Sequence, residues 1–300
     1  MNKVTIETCP LCNGTHLERT LTCVDHYATG EMFHLCRCAD CGFLFTQDFP
    51  AEAEIGRYYE TPDYISHSDT KKGAMNRLYH WVRRYMLKRK AKLVMRVTHR
   101  KEGHLLDIGT GTGYFPDTMK RLGWQVEAVE KNASAREFAH AHFGLEVKPD
   151  TALKDYAPES FDVITLWHVL EHLEHLNETW ETLNALLTDK GMLLVAVPNC
   201  SSYDAQKYGA YWAAYDVPRH LWHFTPDTIQ QFASKHGFIM SERHPMPFDA
   251  FYVSMLTERH MNRSFPFLRG MLTGMLAWFS SLVRKERSSS MIYVFRKKKL

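Results

Sequence analysis

Two groups of side chains in this chain could do chemistry by their type and spacing. The first is Asp107, followed by Gly109, Gly111 and Gly113 at every second position, with Glu130 further on. Glycine has no Cβ, so its backbone can take positive φ and let a ligand lie against it. The spacing is G-x-G-x-G rather than the G-x-G-x-x-G of dinucleotide sites, and a carboxylate stands before the first glycine. That charge would repel a pyrophosphate, but it suits a cationic ligand carrying an amino group. Glu130 lies 17 residues after Gly113, where a strand–glycine turn–helix–strand unit sets a carboxylate against ribose hydroxyls. The second group is a pair of C-x-x-C knuckles, Cys9-Pro-Leu-Cys12 and Cys38-Ala-Asp-Cys41, with glycine close behind each. Four thiolates so spaced make a closed tetrahedral site with no position for water, hence a structural Zn2+ rather than a catalytic one. Cys36 competes with Cys38 as a ligand but breaks the knuckle spacing. Cys23 reads as a small buried hydrophobe.

These groups need elements to position them. Leu105 and Leu106 end a buried strand, Tyr114 to Leu122 is a helix closed by Gly123, and Gln125 to Val129 is a second strand. The alternation continues with a helix over Ala133 to His142 and strands at Leu145–Val147, Phe161–Leu166 and Met192–Val197. A helix capped by Asn177 and ended by Gly191 lies before the last of these. Thr225 caps another helix with Pro226 at its first position, and strands follow at Phe238–Arg243 and Met291–Arg296. Alternating strands and helices imply a doubly wound, mostly parallel sheet, with the ligand crevice beyond the strands' carboxyl ends. Ser201 to Phe224 reads as a long aromatic loop, of a length that is usually functional.

Asp107 with its glycines, Val126–Glu130, Ser160-Phe-Asp-Val-Ile-Thr-Leu-Trp-His-Val-Leu-Glu-His172 and Gly191-Met-Leu-Leu-Val-Ala-Val-Pro-Asn199 together resemble the class I S-adenosylmethionine-dependent methyltransferases. The resemblance covers roughly residues 103–243. It implies a Rossmann-like, seven-stranded α/β fold and S-adenosylmethionine as cofactor. By the resemblance Asp107, Gly109, Gly111 and Gly113 border the methionine end of the cofactor and Glu130 holds its ribose. Asp150 then lies near the adenine, and Trp167 lines the same crevice. Methylating a hydroxyl requires removal of its proton, for which His168, His220 and His223 are candidates. Arg219, among the same residues, could hold an anionic group.

The expected organisation is a zinc-ribbon-like module at 1–48, a connector and basic helix at 49–102, and the methyltransferase domain at 103–300 with a helical insertion over about 247–290. At 45% hydrophobic and 24% charged the chain can bury a normal core. Twelve Lys or Arg and no acid fall between Thr70 and Lys101, so the remaining 25 basic residues face all 34 acids. That basic stretch reads either as a solvated helix face or as a surface that meets phosphate. The start has no apolar secretory segment, and the chain has no run of 18 apolar residues. The expectation is a cytoplasmic chain acting on a small-molecule, glycan or lipid-linked substrate, with peripheral contact at the inner membrane surface through the insertion. An RNA methyltransferase using the zinc module and basic helix is the alternative; its usual zinc site is completed by a histidine, which weakens it here.

Overall fold

The computed structural model describes residues 2–59 and 74–298; the connector's Pro62 and the first basic residues, Lys71 and Lys72, lie outside them. Seven strands form one sheet in the order β12-β13-β10-β9-β6-β7-β8. They are β6 (His104–Ile108), β7 (Gln125–Val129), β8 (Val147–Lys148), β9 (Phe161–Trp167), β10 (Leu187–Pro198), β12 (Phe238–Pro245) and β13 (Ser290–Lys297). Neighbouring pairs from β10 to β8 are parallel, and β13 runs antiparallel to both β10 and β12. This is the expected Rossmann-like sheet. Leu105, Leu106, Val163, Ile164, Leu193, Leu194 and Val195 are fully buried, because helices cover both faces of the strands.

Helix α1 (Ala74–Thr98) buries Ala91, Val94 and Val97 against this sheet. Helices α2 (Tyr114–Arg121), α3 (Ala133–Phe143), α4 (Leu176–Leu186) and α6 (Pro226–Lys235) complete the layers. Thr225 caps α6 through a capping box with Thr228. The expected cap of α4 is displaced. Its N-cap is His175, and Asn177 instead turns its amide to the Pro10 carbonyl at 3.1 Å. Nor does Gly191 end that helix. Extended backbone starts at Leu187, and a register shift between Leu187 and Met192 leaves Gly191 inside β10. A Cβ on Gly191 would lie 2.6 Å from Leu187 Cγ, so the irregular strand requires glycine there.

The N-terminal part contains β2 (Leu17–Val24), β3 (Met32–Cys38) and β4 (Leu44–Gln47), joined as a sheet, with β1 (Lys3–Val4) paired to β5 (Phe49–Pro50). The fourth strand of that sheet is β11 (Trp222–His223), which comes from the segment read as a loop. That segment also contains α5 (Tyr203–Tyr208) and two short 3-10 turns, and Trp212, Tyr215 and Trp222 are buried in it. Phe43, Phe45 and Phe49 share one core with Trp222, Phe224 and Phe232. The N-terminal module therefore borrows a hydrophobic core from the larger sheet, where burying each phenylalanine contributes about 1.5–3 kcal/mol.

Helices α7 (Asp249–His260) and α8 (Pro266–Val283) form a hairpin between β12 and β13, as expected for the insertion. Gly270 and Gly274 let the two backbones touch. A Cβ on either would lie 2.5 Å from Met255 Cα or 2.7 Å from Phe251 Cα. No helix among the described residues is long and apolar enough to cross a membrane.

Candidate functional site

The sheet's order reverses between β6 and β9, which is where a doubly wound sheet opens its ligand crevice. Asp107 of β6 sits at that boundary, fully buried, and accepts a hydrogen bond from Thr165 Oγ1 of β9 at 2.5 Å. Burial raises its pKa to about 6; hydrogen bonds from threonine hydroxyls and the nearby Lys90 charge pull the other way. A cationic amino group arriving beside it would draw that pKa back toward the ordinary carboxylate range.

The three glycines all take left-handed backbone, with φ of 66°, 56° and 84° in order. Their surroundings differ. A Cβ on Gly109 would strike Val169 Cγ2 at 2.5 Å, and one on Gly113 would meet Ala139 Cβ at 2.9 Å. One at Gly111 would meet nothing within 4 Å. The outer glycines are thus fixed by packing, and the middle one faces open space. Glu130 follows β7 and holds the loop, accepting from Gly111 N at 2.8 Å through Oε2 and from Asn132 N at 2.9 Å through Oε1. A carboxylate has lone pairs for further donors, so ribose hydroxyls can still bind there. Glu130 N donates to Lys148 O, which brings the end of β8 alongside. Asp150 stands two residues further on, accepting from Thr151 N at 3.0 Å. Trp167 ends β9, its ring edge-on to Phe115 and 4.3 Å from Lys90 Nζ. These residues, gathered at the carboxyl ends of β6 to β9, fit a nucleoside carrying a cationic amino-acid tail.

His168, Glu171, His172 and His220 form a contiguous run beside the crevice. His168 has φ of 59° and lies between Glu171 Oε1 at 3.4 Å and Asp249 Oδ2 at 3.3 Å. Burial alone would lower its pKa, but the two carboxylates outweigh this and raise it to about 9. At neutral pH this histidine is a cation with both nitrogens engaged, so it does not offer the lone pair expected of a base. The ion pairs stabilise the fold fully below the ordinary 6.5 and are lost as pH rises through about 9. Thermal melts are expected to fall across that window, and His168→Asn should flatten the decline. An unchanged slope in that variant would assign the decline to other groups.

His220 donates from Nδ1 to Ala214 O at 2.8 Å in the tautomer this contact selects, and its Nε2 lies 3.9 Å from Asp216 Oδ2. Its ring meets His172 edge-on at 4.5 Å. One ligand atom each from Glu171, His172 and His220 falls within 4.8 Å of the others, and Glu171 Oε2 accepts no hydrogen bond. Such a trio of acceptors could hold a cation. Burial drives His172 down to about 4, which keeps it neutral.

His223 is placed elsewhere. It pairs with Leu44 in the N-terminal sheet, lies 3.0 Å from Thr46 Oγ1, and is pushed down to about 3 by burial. It fills the interior rather than facing the crevice. Arg219 is likewise consumed internally. It bonds Asp25 at 3.1 Å, Asp216 at 2.6 Å and the Tyr58 carbonyl at 2.8 Å, and at 3% exposed it is buried away from any anionic ligand in the crevice. No local signal pointed to Asp25, which lies 194 residues earlier.

The four knuckle thiols converge. Cys9 and Cys41 Sγ are 3.5 Å apart, as are Cys12 and Cys38, and all four lie within 4.8 Å. Sulfurs about 2.3 Å from one ion in a tetrahedron would be about 3.8 Å apart, so the set fits zinc. Asn13 and Gly42, each one past the second cysteine, both take left-handed backbone. Their N–H groups donate to Cys9 O and Cys38 O in matching turns. The first knuckle's turn residue is therefore Asn13, not the glycine after it. Cys36 lies outside the cluster.

A family model described as a methyltransferase domain matches residues 79–242, more than half of the chain. The chain belongs to the S-adenosylmethionine-dependent methyltransferases of class I. Among its relatives is a ubiquinone biosynthesis O-methyltransferase of Rhodopseudomonas palustris (strain BisB5), 28% identical over 156 residues, which are 48% of this chain and 62% of that one. The protein of the same name from Caulobacter sp. (strain K31) is 35% identical over 141 residues, 43% of this chain and 56% of that one. The chain thus spans about three fifths of these relatives. Two solved structures share the methyltransferase fold. One is the 1,6-didemethyltoxoflavin-N1-methyltransferase of Burkholderia thailandensis (13% identity, TM-score 0.51, 88% of this chain and 99% of that one), with 1,6-didemethyltoxoflavin and S-adenosylhomocysteine bound. The other is phospholethanolamine N-methyltransferase 2 of Haemonchus contortus (18% identity, TM-score 0.52, 85% and 62%).

Proposed function

We propose that this methyltransferase moves the methyl group of S-adenosylmethionine to an oxygen of a small-molecule, sugar or lipid-linked acceptor. The observation that carries the reading is the open side of Gly111, bordered by the Asp107 and Glu130 carboxylates. The cofactor supplies an electrophilic methyl on a sulfonium. The chain's own work is to align donor and acceptor in line and to take a proton from the acceptor hydroxyl. Asp107 receives the amino group of the methionine tail and Glu130 the ribose hydroxyls. Asp150 stands beside the adenine, and Trp167 walls the crevice toward the acceptor. His220 is the base, its ring oriented by the Nδ1 bond to Ala214 O, while His168 contributes positive charge beside the acceptor.

Transfer to oxygen draws its support from the relatives named as O-methyltransferases. The RNA alternative is the weaker, because several charges of the basic helix are already engaged within the chain. Arg83 lies over Tyr114, Lys90 over Trp167, and Arg96 pairs with Glu242 at 2.6 Å.

We further propose that Cys9, Cys12, Cys38 and Cys41 hold one structural zinc, within a unit spanning 1–48 that is followed by the connector and basic helix and then the methyltransferase domain.

Gly111→Arg is expected to abolish cofactor binding in calorimetry, because its side chain fills the space the backbone leaves open. Glu130→Ala should weaken binding by about 1–3 kcal/mol, the scale of charge-assisted hydrogen bonds. Failure of the folded wild type, freed of bound product, to bind S-adenosylmethionine would refute the reading. Incubation of labelled cofactor with separated lipid, glycan and RNA fractions then identifies the acceptor, and label in RNA alone would reinstate the alternative.

A further inference from the structure

Helix α8 is built inside out. Its side against α7 is made of small or polar residues, with Gly270, Thr273, Gly274, Ala277 and Ser281 buried. Its large apolar side chains point away from the protein, with Leu268 68%, Leu272 59%, Phe279 52% and Leu282 61% exposed. Met275 and Leu276 extend the same stripe, Phe267 lies at its start, and Phe265 just before the helix is 78% exposed. An ordinary surface helix does the reverse. So long an apolar face on one helix marks a surface that meets something apolar.

Charge decides what that is. From Arg259 to Lys285 there is no acidic residue, while Arg259, Arg263, Arg269, Arg284 and Lys285 flank the apolar stripe at both ends. The nearest acids are already engaged: Glu258 is buried and binds Arg269 at 3.1 Å, and Glu286 binds Arg243 at 2.6 Å. An apolar stripe on a helix about 27 Å long, with basic residues in excess at both ends, is complementary to a bilayer with anionic head groups.

We propose that the outward face of the α7–α8 hairpin docks on an anionic membrane surface, with α8 lying in the interface. Asp249, the first residue of α7, touches His168 at the end of β9. The hairpin therefore reaches the crevice at the start of α7, and an acceptor held in the bilayer would enter from that side; this last step rests on the function proposed above.

The test is co-sedimentation of the full chain with phosphatidylglycerol-containing vesicles and with pure phosphatidylcholine vesicles, at about 0.05 and 0.5 M salt to vary screening. Binding to the anionic vesicles, weakened by salt, is the expected result. The double variant Leu272→Ser and Phe279→Ser removes only exposed side chains and should retain the wild-type melting temperature. Its partitioning is expected to fall by about tenfold or more. Absence of wild-type binding, or equal binding by the variant, overturns the proposal. So does a wild-type dimer in sedimentation velocity that the double variant dissolves without any vesicle binding, which would make a second copy the occupant. Cofactor calorimetry on the same samples separates failure of docking from failure of the methyltransferase reading.

Discussion

Replacing Arg219 by leucine is expected to destabilise the protein by about 3–5 kcal/mol, the cost of leaving a buried charge without its partner. The guanidinium is 3% exposed and Asp25 1% exposed, so water cannot take over the lost contacts. One nitrogen reaches both Asp25 and Asp216, a second takes the Tyr58 carbonyl, and the plane stacks 4.6 Å from the Tyr27 ring centre. Lysine should not rescue the variant, since a single ammonium cannot reproduce the fork. The pH dependence gives a second reading. Burial would raise the Asp216 pKa, but the Arg219 charge and its hydrogen bonds hold it below the ordinary carboxylate range. In the wild type this stabilisation is present at neutral pH and lost as pH falls through the lowered pKa. Without the arginine, burial raises the Asp216 pKa and that carboxylate protonates earlier, so the deficit should narrow as the medium is acidified. Urea unfolding at neutral pH and near pH 4.5 would measure both effects. A neutral-pH difference below about 1 kcal/mol, the range of exposed pairs, would mean that the cluster contributes far less than its burial implies.

What the sequence made legible is what local chemistry determines. The glycine loop, the acid closing β7 and the capping box of α6 each lie within a few residues of what they act on. The parallel strands showed as apolar runs because both faces are covered. The C-x-x-C pairs fix their own turns, so their convergence followed from spacing. The misread positions depend on partners far along the chain. His223 and Trp222 form a two-residue strand that pairs with β4, more than 170 residues earlier. Nothing local distinguishes that pair from a functional loop. Arg219 looked free because Asp25 is equally remote. Gly191 was read as a helix stop, and only the packing of Leu187 against its missing Cβ gives the reason for glycine there. Asn177 has a capping residue's chemistry but spends it on Pro10 of the N-terminal module. The charge of His168 is not legible locally, because Asp249 comes from an insertion some 80 residues later.

Exchange of Cys38 for serine is expected to release zinc and lower the melting temperature of the whole molecule, not of the N-terminal module alone. Structural zinc in isolated fingers contributes about 10–16 kcal/mol of apparent binding energy, all of it coupled to folding. Here the knuckles frame Phe43, whose ring packs on Trp222, Phe224 and Phe232 at centroid distances of 6.2, 5.6 and 5.0 Å. Loss of the ion frees the turn at Gly42 and thereby loosens the core beneath α6. Loss of even about 4 kcal/mol would lower the midpoint by roughly 8–16 °C in a domain of this size. Cys36→Ser is the control. That thiol is buried on β3 outside the four-sulfur cluster, so its replacement should leave metal content intact while costing some packing. Elemental analysis of protein purified without chelator should find one zinc per wild-type chain, one in the Cys36 variant and less than one in the Cys38 variant. Zinc retained after Cys38→Ser and lost after Cys36→Ser would move the fourth ligand. A metal-free wild type with four titratable knuckle thiols would leave the cluster as plain packing, stabilised by its neighbours alone.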